Sequence, residues 1–160
     1  MKLLAKRKIR TRKALSSELA RRRARGERIV FTSGCFDVLH VGHLRSMEQA
    51  RGLGDVLVVG VNRDRRVREL KGRNRPVVPE RQRAELLAGF ECVDRVVLFG
   101  EDTAAPLIRA LKPDIVCKGG EYRGAFVPER EVIEALGGRF VLLRQVPGVR
   151  SSSLIKRARH

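Results

Sequence analysis

Two of the three histidines in this 160-residue chain, His40 and His43, lie three residues apart, with Gly42 between them. They lie in the stretch FTSGCFDVLHVGHLRS, residues 31–46, behind a short apolar run. If a strand ends and a helix begins in this stretch, both imidazoles lie on one face of the first helical turn. A pair of imidazoles in that position could bind a phosphate, bind a metal ion or cap the helix.

A phosphate is the ligand that this stretch favours. Gly34 lets the backbone turn close to a ligand, and Gly42 removes a side chain between the two histidines. The backbone N–H groups at the start of the following helix favour an anion, and His40 and His43 can add donors to the same charge. The alternative is a structural role, in which His43 caps the helix and His40 is packed in the core.

A metal ion is a less attractive ligand, because the remaining histidine is His160 at the C-terminus and a structural zinc site uses about four ligands. The three cysteines are Cys35, Cys92 and Cys117, and their spacing is not of a metal-binding type. Reduced thiols in a cytoplasmic protein explain an odd number of cysteines most simply. Cys35 could also be a nucleophile, although the sequence identifies no acid–base partner. We therefore expect no metal site built from protein ligands.

The elements that would position the histidines form an alternating pattern. The predicted strands span residues 28–33, 55–61, 92–99, 114–118 and 139–143, and the predicted helices lie near residues 43–51, 64–70, 79–89, 103–111, 129–136 and 152–159. Continuous apolar strands separated by helices indicate a parallel sheet that is covered on both faces. We predict an α/β fold: a single Rossmann-like, doubly wound domain with a five-stranded parallel sheet.

This architecture predicts where a ligand binds. In an open parallel sheet, ligands bind beyond the carboxyl ends of the strands, where the strand order reverses. Residues 33–43 follow the first predicted strand, residues 118–121 follow the fourth, and residues 150–152 follow the fifth. We therefore expect these three polar segments to meet at one edge of the sheet.

The net charge of +17 is unevenly distributed. Residues 1–28 contain twelve Lys or Arg and two Glu, which is +10, so the other 132 residues carry only +7. We divide the chain into a basic, helical N-terminal extension, residues 1–27, and the main domain, residues 28–160. The extension could be a nucleic-acid arm, but it has no aromatic residue to stack on bases, which favours a helix packed through Leu15 and Leu19. The remaining charge suits acidic, phosphate-bearing substrates.

The distribution of apolar residues bears on membrane partners and on cellular location. No apolar run approaches the roughly 18–20 residues that cross a bilayer, and the basic N-terminus lacks the apolar stretch of a secretory signal. We therefore expect a cytoplasmic protein that has no membrane partner.

The run T-S-G-C-F-D-V-L-H-V-G-H, residues 32–43, resembles the signature of the HxGH nucleotidyltransferases, a cytidylyltransferase-like superfamily. It is especially similar to the D-glycero-β-D-manno-heptose 1-phosphate adenylyltransferases, which occur alone or as the C-terminal half of a bifunctional enzyme. The similarity continues from Arg28 to the end of the chain, through VLVVGVNRD, LKGRNRPVVP, ERQRAELLAGFECVD, EDTAAPLI, LKPDIVCKGGEY and SSSLI.

The resemblance implies an activity. Members of this branch transfer AMP from ATP to heptose 1-phosphate, with Mg²⁺, and release ADP-heptose and pyrophosphate. The attacking phosphate is already ionised near neutral pH, so catalysis consists of positioning and charge neutralisation. The implied partners are ATP and a phosphorylated sugar, with a homodimer as the implied assembly and lipopolysaccharide biosynthesis as the implied context.

The resemblance also implies roles for individual residues. The implied catalytic residues are His40, His43 and Lys118. The implied nucleotide-binding residues are Ser33, Gly34, Cys35, Phe36, Asp37, Gly42, Gly119, Glu121, Ser151 and Ser152. Asp37 is expected to order the phosphate loop, with a metal or substrate contact as the alternative. Lys71, Arg75 and Arg83 are candidates for binding the sugar phosphate; the alternatives are surface charges or, for Arg83, a structural ion pair.

Two departures from the family pattern bear on the substrate. Ser33 stands where the heptose branch commonly has Asn, and Val149-Arg150 replaces an aromatic residue and a Ser near the last helix. These departures leave two alternatives in the same superfamily, a cytidylyltransferase and an FAD-synthetase-like enzyme. A basic nucleic-acid-binding module is the alternative from a different class.

Overall fold

The computed structural model describes residues 4–159, and its centre is a five-stranded, all-parallel sheet. The strands are β1 (Ile29–Gly34), β2 (Val56–Asn62), β3 (Arg95–Phe99), β4 (Ile115–Lys118) and β5 (Arg139–Leu142). Their order is β3-β2-β1-β4-β5, with helical crossovers between them. The predicted Rossmann-like α/β class is therefore confirmed.

Within residues 4–159, seven α-helices surround the sheet. They are α1 (Arg12–Ala24), α2 (Val41–Arg51), α3 (Asp64–Lys71), α4 (Glu80–Ala88), α5 (Ala105–Leu111), α6 (Pro128–Ala135) and α7 (Ser151–Ala158). Two short 3₁₀ turns, Ala5–Lys8 and Gly120–Tyr122, were not predicted from the sequence. No helix within residues 4–159 combines the length and hydropathy that a membrane crossing requires.

The third strand begins later than the apolar pattern predicts. Residues 92–94 lie in a turn, and the Asp94 carboxylate accepts a hydrogen bond from the backbone N–H of Leu57 at 2.7 Å. This contact joins the turn to β2 before the β3 ladder starts at Arg95. Val93, the apolar residue of this segment, is buried without being part of the strand.

The strand order creates a crevice at the centre of the sheet. The first strand is flanked by β2 and β4, so the chain moves outward in opposite directions on its two sides. Thr32 is paired with Cys117 in the β1–β4 ladder, so Ser33 and Lys118 leave the sheet side by side. The segments that follow β1 and β4 therefore face the same crevice, which is where parallel sheets bind ligands.

The core lies on both faces of the sheet because successive strand residues point to opposite faces. Ile29 and Phe31 of β1 pack with residues of α1, α5 and α6, while Val30 packs with residues of α2 and α4. All seven residues of β2 are buried, as expected for a strand that is covered on both faces.

The basic N-terminal segment packs against the domain through α1. Leu15 and Leu19 are completely buried and belong to the core on that face of the sheet. On the same helix, Glu18 binds Arg22 and Arg95, the latter at 2.7 Å on β3. Part of the basic charge is therefore used in ion pairs that hold α1 to the sheet.

This packing predicts a large effect of shortening Leu19. We expect Leu19→Ala to lower the free energy of unfolding by about 2–5 kcal/mol, because it leaves a cavity in the shared core. Leu4→Ala makes the same chemical change at a side chain that is 78% exposed, and it should change stability by no more than about 0.5 kcal/mol. Urea unfolding of both variants tests this; equal, small effects would show that α1 is only loosely attached.

Candidate active site

The two histidines form a hydrogen-bonded cap at the start of α2. His40 is the N-cap residue, and its Nδ1 accepts a hydrogen bond from the backbone N–H of Gly42 at 3.1 Å. Nδ1 of His43 accepts one from the backbone N–H of His40 at 3.2 Å. The ring centroids are 3.9 Å apart. His40 is thus the N-cap, whereas the structural alternative from the sequence gave the cap to His43 and placed His40 in the core.

This cap fixes which nitrogen of each ring carries the proton. A nitrogen that accepts a hydrogen bond has no proton, so each neutral imidazole carries its hydrogen on Nε2. Burial lowers the pKa of His40; burial, and then the charge of His40, lower the pKa of His43 to about 4. At neutral pH the pair therefore offers two uncharged Nε2–H donors. An anion bound there would raise both pKa values.

Gly42 is required by the N-cap imidazole. A Cβ atom at this position would lie 2.8 Å from Cε1 and 2.9 Å from Nδ1 of His40. Any other residue would displace the ring from the N–H group that it accepts. The glycine between the histidines is therefore part of the geometry that orients them.

The loop between β1 and α2 has an unusual backbone. Phe36 and Val38 adopt positive φ angles of 52° and 55°. The left-handed region is uncommon for residues with a side chain and most unfavourable for a β-branched one such as Val38. Backbone strain of this kind, of order 1–3 kcal/mol per residue, persists only when surrounding contacts hold the segment in place.

Asp37, between these two residues, provides the main attachment. Its buried carboxylate accepts hydrogen bonds from the backbone N–H groups of Val77 at 2.8 Å and Val78 at 2.9 Å, and from Nε of Arg75 at 2.6 Å. Burial alone would raise the pKa of Asp37, but these donors outweigh it and the pKa is lowered. These three donors favour the expected role of Asp37, ordering of the loop, over its alternative of a metal or substrate contact.

Arg75 and Arg83 belong to this supporting framework. Arg75 binds Asp37, while Arg83 is completely buried and binds the Asp64 carboxylate at 2.8 Å. The Arg83 guanidinium also donates to the carbonyl groups of Val78 and Cys35. The prediction that Arg83 binds the sugar phosphate is therefore wrong, since no part of its side chain reaches solvent.

Lys118, at the end of β4, is held against the end of β1. Its Nζ donates to the hydroxyl of Ser33 at 2.9 Å and to the Ser33 carbonyl at 3.2 Å. The same ammonium lies 3.6 Å from the Glu129 carboxylate and 5.4 Å from the centre of the Tyr122 ring. Lys118 and Glu129 are both 7% exposed, so a compensated positive charge lies at the boundary of the crevice.

The sequence analysis missed Glu129 and Tyr122. Glu129 lies in the first turn of α6, where an acidic residue is ordinarily explained by the helix dipole. For Tyr122, the sequence indicates only that it belongs to the KGGEY motif. The sequence offers one weak signal for Glu129: it is a carboxylate eleven residues after Lys118, the lysine of the KGG motif.

The turn after β4 depends on two glycines. A Cβ on Gly120 would lie 2.8 Å from the carbonyl oxygen of Leu143, so this backbone packs directly on the chain that leaves β5. A Cβ on Gly119 would lie 2.1 Å from the carboxylate of Glu121, which folds back over the turn. The turn therefore passes close to its neighbours, with little side-chain bulk.

The last helix also joins the loop after β1. Ser151 is the first residue of α7, and its hydroxyl donates to the carbonyl of Val38 at 3.1 Å. Ser152 is exposed beside it. The contacts of Lys118 and Ser151 thus unite all three predicted segments, at residues 33–43, 118–121 and 150–152.

The remaining predicted positions lie around this loop. Gly34 lies under the Phe36 ring, which in turn meets the His43 ring edge-on with centroids 5.7 Å apart. The Cys35 thiol accepts a weak hydrogen bond from Asn62 at 3.6 Å. Lys71 is exposed at the end of α3, and no hydrogen bond or ion pair joins its side chain to the rest of the described chain.

The described residues hold no cluster of three or more His, Cys, Asp or Glu side chains that could bind a metal ion. His160, which the sequence analysis weighed as a further ligand, lies outside the described residues.

Comparisons with known proteins agree with this geometry. A family model described as cytidylyltransferase-like matches residues 31–157. The chain is 50% identical over 150 residues to "Bifunctional protein HldE" of Citrifermentans bemidjiense, which covers 94% of this chain and 31% of that protein. It is 49% identical to the protein of the same name from Pelobacter propionicus, with the same coverage. The chain thus spans about a third of the length of these relatives.

A solved structure is also similar. It is the crystal structure of the lipopolysaccharide core biosynthesis protein from Thermoplasma volcanium GSS1, with a TM-score of 0.63 and 31% sequence identity. The match covers 78% of this chain and 100% of that one. The similarity therefore extends over the whole of the smaller protein.

The role of Asp37 gives a pH-dependent prediction. We expect Asp37→Asn to lower the free energy of unfolding by about 1.5–3 kcal/mol at pH 7, because a buried charged acceptor is lost. Since folding lowers the pKa of Asp37 from 3.8, this contribution is complete above about pH 4 and is lost as the pH falls through the lowered value.

Urea unfolding between pH 7 and pH 2.5 measures this difference. Asp102→Asn, at a side chain that is 88% exposed, is the matched control and should change stability by no more than about 0.5 kcal/mol. If Asp37→Asn is as stable as the control at pH 7, Asp37 does not hold the loop.

Proposed function

The chain belongs to the cytidylyltransferase-like family and is a nucleotidyltransferase, and we propose that it transfers AMP from ATP to a sugar 1-phosphate. The proposed acceptor is D-glycero-β-D-manno-heptose 1-phosphate, and the products are ADP-heptose and pyrophosphate. The heptose-type motifs KGGEY and LKGRNRP support this choice. So do the relatives named HldE and the similar structure of a lipopolysaccharide core biosynthesis protein.

One observation carries the proposal: the three segments that bear phosphate-binding groups meet at the carboxyl ends of β1 and β4. The loop from β1 presents the histidine pair at the start of α2, β4 brings Lys118 to Ser33, and α7 begins at the same loop through Ser151. Helix starts and imidazole N–H groups are donors that suit an anion. A triphosphate is the ligand that can use all of them.

The chemistry follows from these donors. The acceptor phosphate is an anion near neutral pH, so it attacks the α-phosphorus of ATP without a general base, and pyrophosphate leaves on the opposite side. We propose that His40 and His43 donate from Nε2 to the α- and β-phosphate oxygens, where charge develops in the transition state. Because Nδ1 of each ring is held by a backbone N–H, the donors are oriented before substrate binds.

Lys118 supplies positive charge at the same crevice. The Ser33 hydroxyl and the Glu129 carboxylate hold its ammonium. We propose that a phosphate oxygen becomes a further acceptor for this ammonium. Gly119, Glu121 and Ser152 are proposed to contact the nucleotide, while Lys71 is proposed to reach the sugar phosphate from its exposed position.

Mg²⁺ is proposed to enter with ATP, as part of the substrate. Arg75, Val77 and Val78 bind the Asp37 oxygens, so we propose that this carboxylate orders the loop and does not coordinate the cation. When bound, Mg²⁺ neutralises phosphate charge, and the donors of the protein complete that neutralisation. We also propose that the reaction takes place in the cytoplasm and that the enzyme is a homodimer, as the family resemblance implies.

A panel of substrates tests the proposal. The purified protein is incubated with Mg²⁺, with ATP or CTP, and with heptose 1-phosphate, glycerol 3-phosphate or a flavin mononucleotide, while pyrophosphate is measured. We expect release with ATP and heptose 1-phosphate, and none in a His40→Ala/His43→Ala control. Release with CTP and glycerol 3-phosphate instead would replace the proposed substrates, while no release with any pair would contradict the proposed transfer.

A pair of substitutions at His43 separates its two roles. We expect His43→Ala to lower kcat and kcat/KM alike, by about 100–1000-fold, because a donor that acts in the transition state is lost. His43→Gln keeps an acceptor for the His40 N–H, as Gln does at this position of a capping box, and should therefore retain more stability than His43→Ala.

The Gln variant should nevertheless remain slow, since it lacks the oriented Nε2–H of the imidazole. Steady-state kinetics and thermal unfolding of both variants give the comparison. Full activity of His43→Gln would mean that His43 acts only by capping the helix.

A further inference from the structure

The opposite edge of the sheet holds a basic pocket of about 540 Å³. It lies at the amino ends of β1, β4 and β5, which are neighbours in the sheet, whereas the histidine pair lies beyond the carboxyl end of β1. Its lining includes four cationic side chains, Arg23, Arg28, Lys112 and Arg139. The proposed transfer reaction does not use any of them.

Most of this positive charge has no partner among the residues that the structure describes. Asp114 is the one acidic residue among the described lining residues, and its carboxylate accepts a hydrogen bond from the backbone N–H of Ile29 at 2.7 Å. Within residues 4–159, the side chains of Arg28, Lys112 and Arg139 make neither an ion pair nor a hydrogen bond. In contrast, Arg65 of α3 forms an ion pair with Glu69, and Arg83 of α4 forms one with Asp64.

Helix ends explain only part of this charge. Arg23 donates to the carbonyl oxygens of Leu111 and Lys112 at 2.9 and 3.0 Å, so it caps the end of α5. Lys112 is the C-cap residue of α5, where a cation is favourable. Arg28 and Arg139 instead lie at the starts of β1 and β5, where no helix end requires a positive charge.

The turn between α6 and β5 gives the pocket an open backbone wall. Gly137 has a φ angle of 80°, and a Cβ on Gly138 would lie 2.9 Å from the carbonyl oxygen of Asp114 and 2.5 Å from the Ile133 side chain. Only glycines fit this turn without displacing its neighbours. The N–H groups of Gly137 and Gly138 donate to the carbonyl groups of Glu134 and Ile133, so a ligand in the pocket would be bound by the cationic side chains and not by this backbone.

We infer that this pocket binds a small polyphosphate anion, of which pyrophosphate is the simplest example. Guanidinium groups match phosphate oxygens with paired donors, and the volume is that of a small-molecule site. The lining has four cationic side chains and one carboxylate, that of Asp114, which already accepts a hydrogen bond. This balance of charge suits an anion that carries several negative charges. Nucleic acid is a poorer match, since none of the described lining residues is aromatic and bases would have nothing to stack on.

A titration with pyrophosphate, followed by ¹H–¹⁵N NMR, tests this inference at each site separately. The signals of Gly137 and Gly138 report on the basic pocket, and the signal of Gly42 reports on the histidine site. The pocket variant is Arg28→Gln/Arg139→Gln, two exposed side chains, which leaves the helix cap of Arg23 intact. The matched control is Lys13→Gln/Arg21→Gln, which removes the same charge from exposed positions on α1.

We expect saturable shifts of the Gly137 and Gly138 signals in the unmodified protein and in the control. In the pocket variant the affinity that these signals report should fall at least tenfold, while the Gly42 response should be unchanged. The inference is overturned if the two variants behave alike, or if a short single-stranded RNA shifts the pocket signals while pyrophosphate does not. A missing response of Gly42 alone would count against the proposed active site and would leave the pocket in place.

Discussion

The buried carboxylate of Asp37 is the contact on which the candidate active site depends. It lies between two residues with positive φ and is bound to the backbone of Val77 and Val78, which follow a different strand and helix. The carbonyl groups on either side are also held, that of Cys35 by Arg83 and that of Val38 by Ser151. These contacts offset the strain of the loop, and the loop in turn places His40 at the start of α2. Support from outside the site thus determines where its donors point.

The histidine pair combines helix capping, which the hydrogen bonds show, with the catalytic role that we propose for it. If Nδ1 were free, each ring could rotate and exchange tautomers, and a substrate would have to order it. Because each Nδ1 accepts a backbone N–H, the Nε2–H groups are fixed without any help from the proposed substrate. Burial keeps both rings uncharged, and for His43 the pKa of about 4 means that folding is progressively disfavoured as the pH falls from 6.5 towards 4. A bound phosphate works in the opposite direction, since it favours the imidazolium.

The fold followed from the sequence because buried parallel strands are continuous apolar runs, and the predicted and observed strands differ by three residues at most. The positions of His40, Lys118 and Ser151 followed from topology, because each segment leaves the carboxyl end of a strand. Arg83 could not be assigned in this way. An arginine on a helix resembles a solvated charge, and only the tertiary structure brings it to Cys35, 48 residues earlier in the sequence. The same holds for Glu129, whose partner Lys118 lies on another element.

The positive charge of the protein serves purposes that composition alone cannot separate. In α1, Arg22 binds Glu18 and Glu27, so part of the basic segment is neutralised within the fold. At the histidine site most donors are neutral, and the one buried ammonium is balanced by Glu129. A site of this kind discriminates by geometry at short range, and it would attract a triphosphate only weakly from a distance. The unpaired surface cations provide the long-range field that a net charge of +17 implies. Under the proposed function, attraction of phosphate compounds and chemistry on them would therefore be carried by different residues, while burial keeps the imidazoles uncharged.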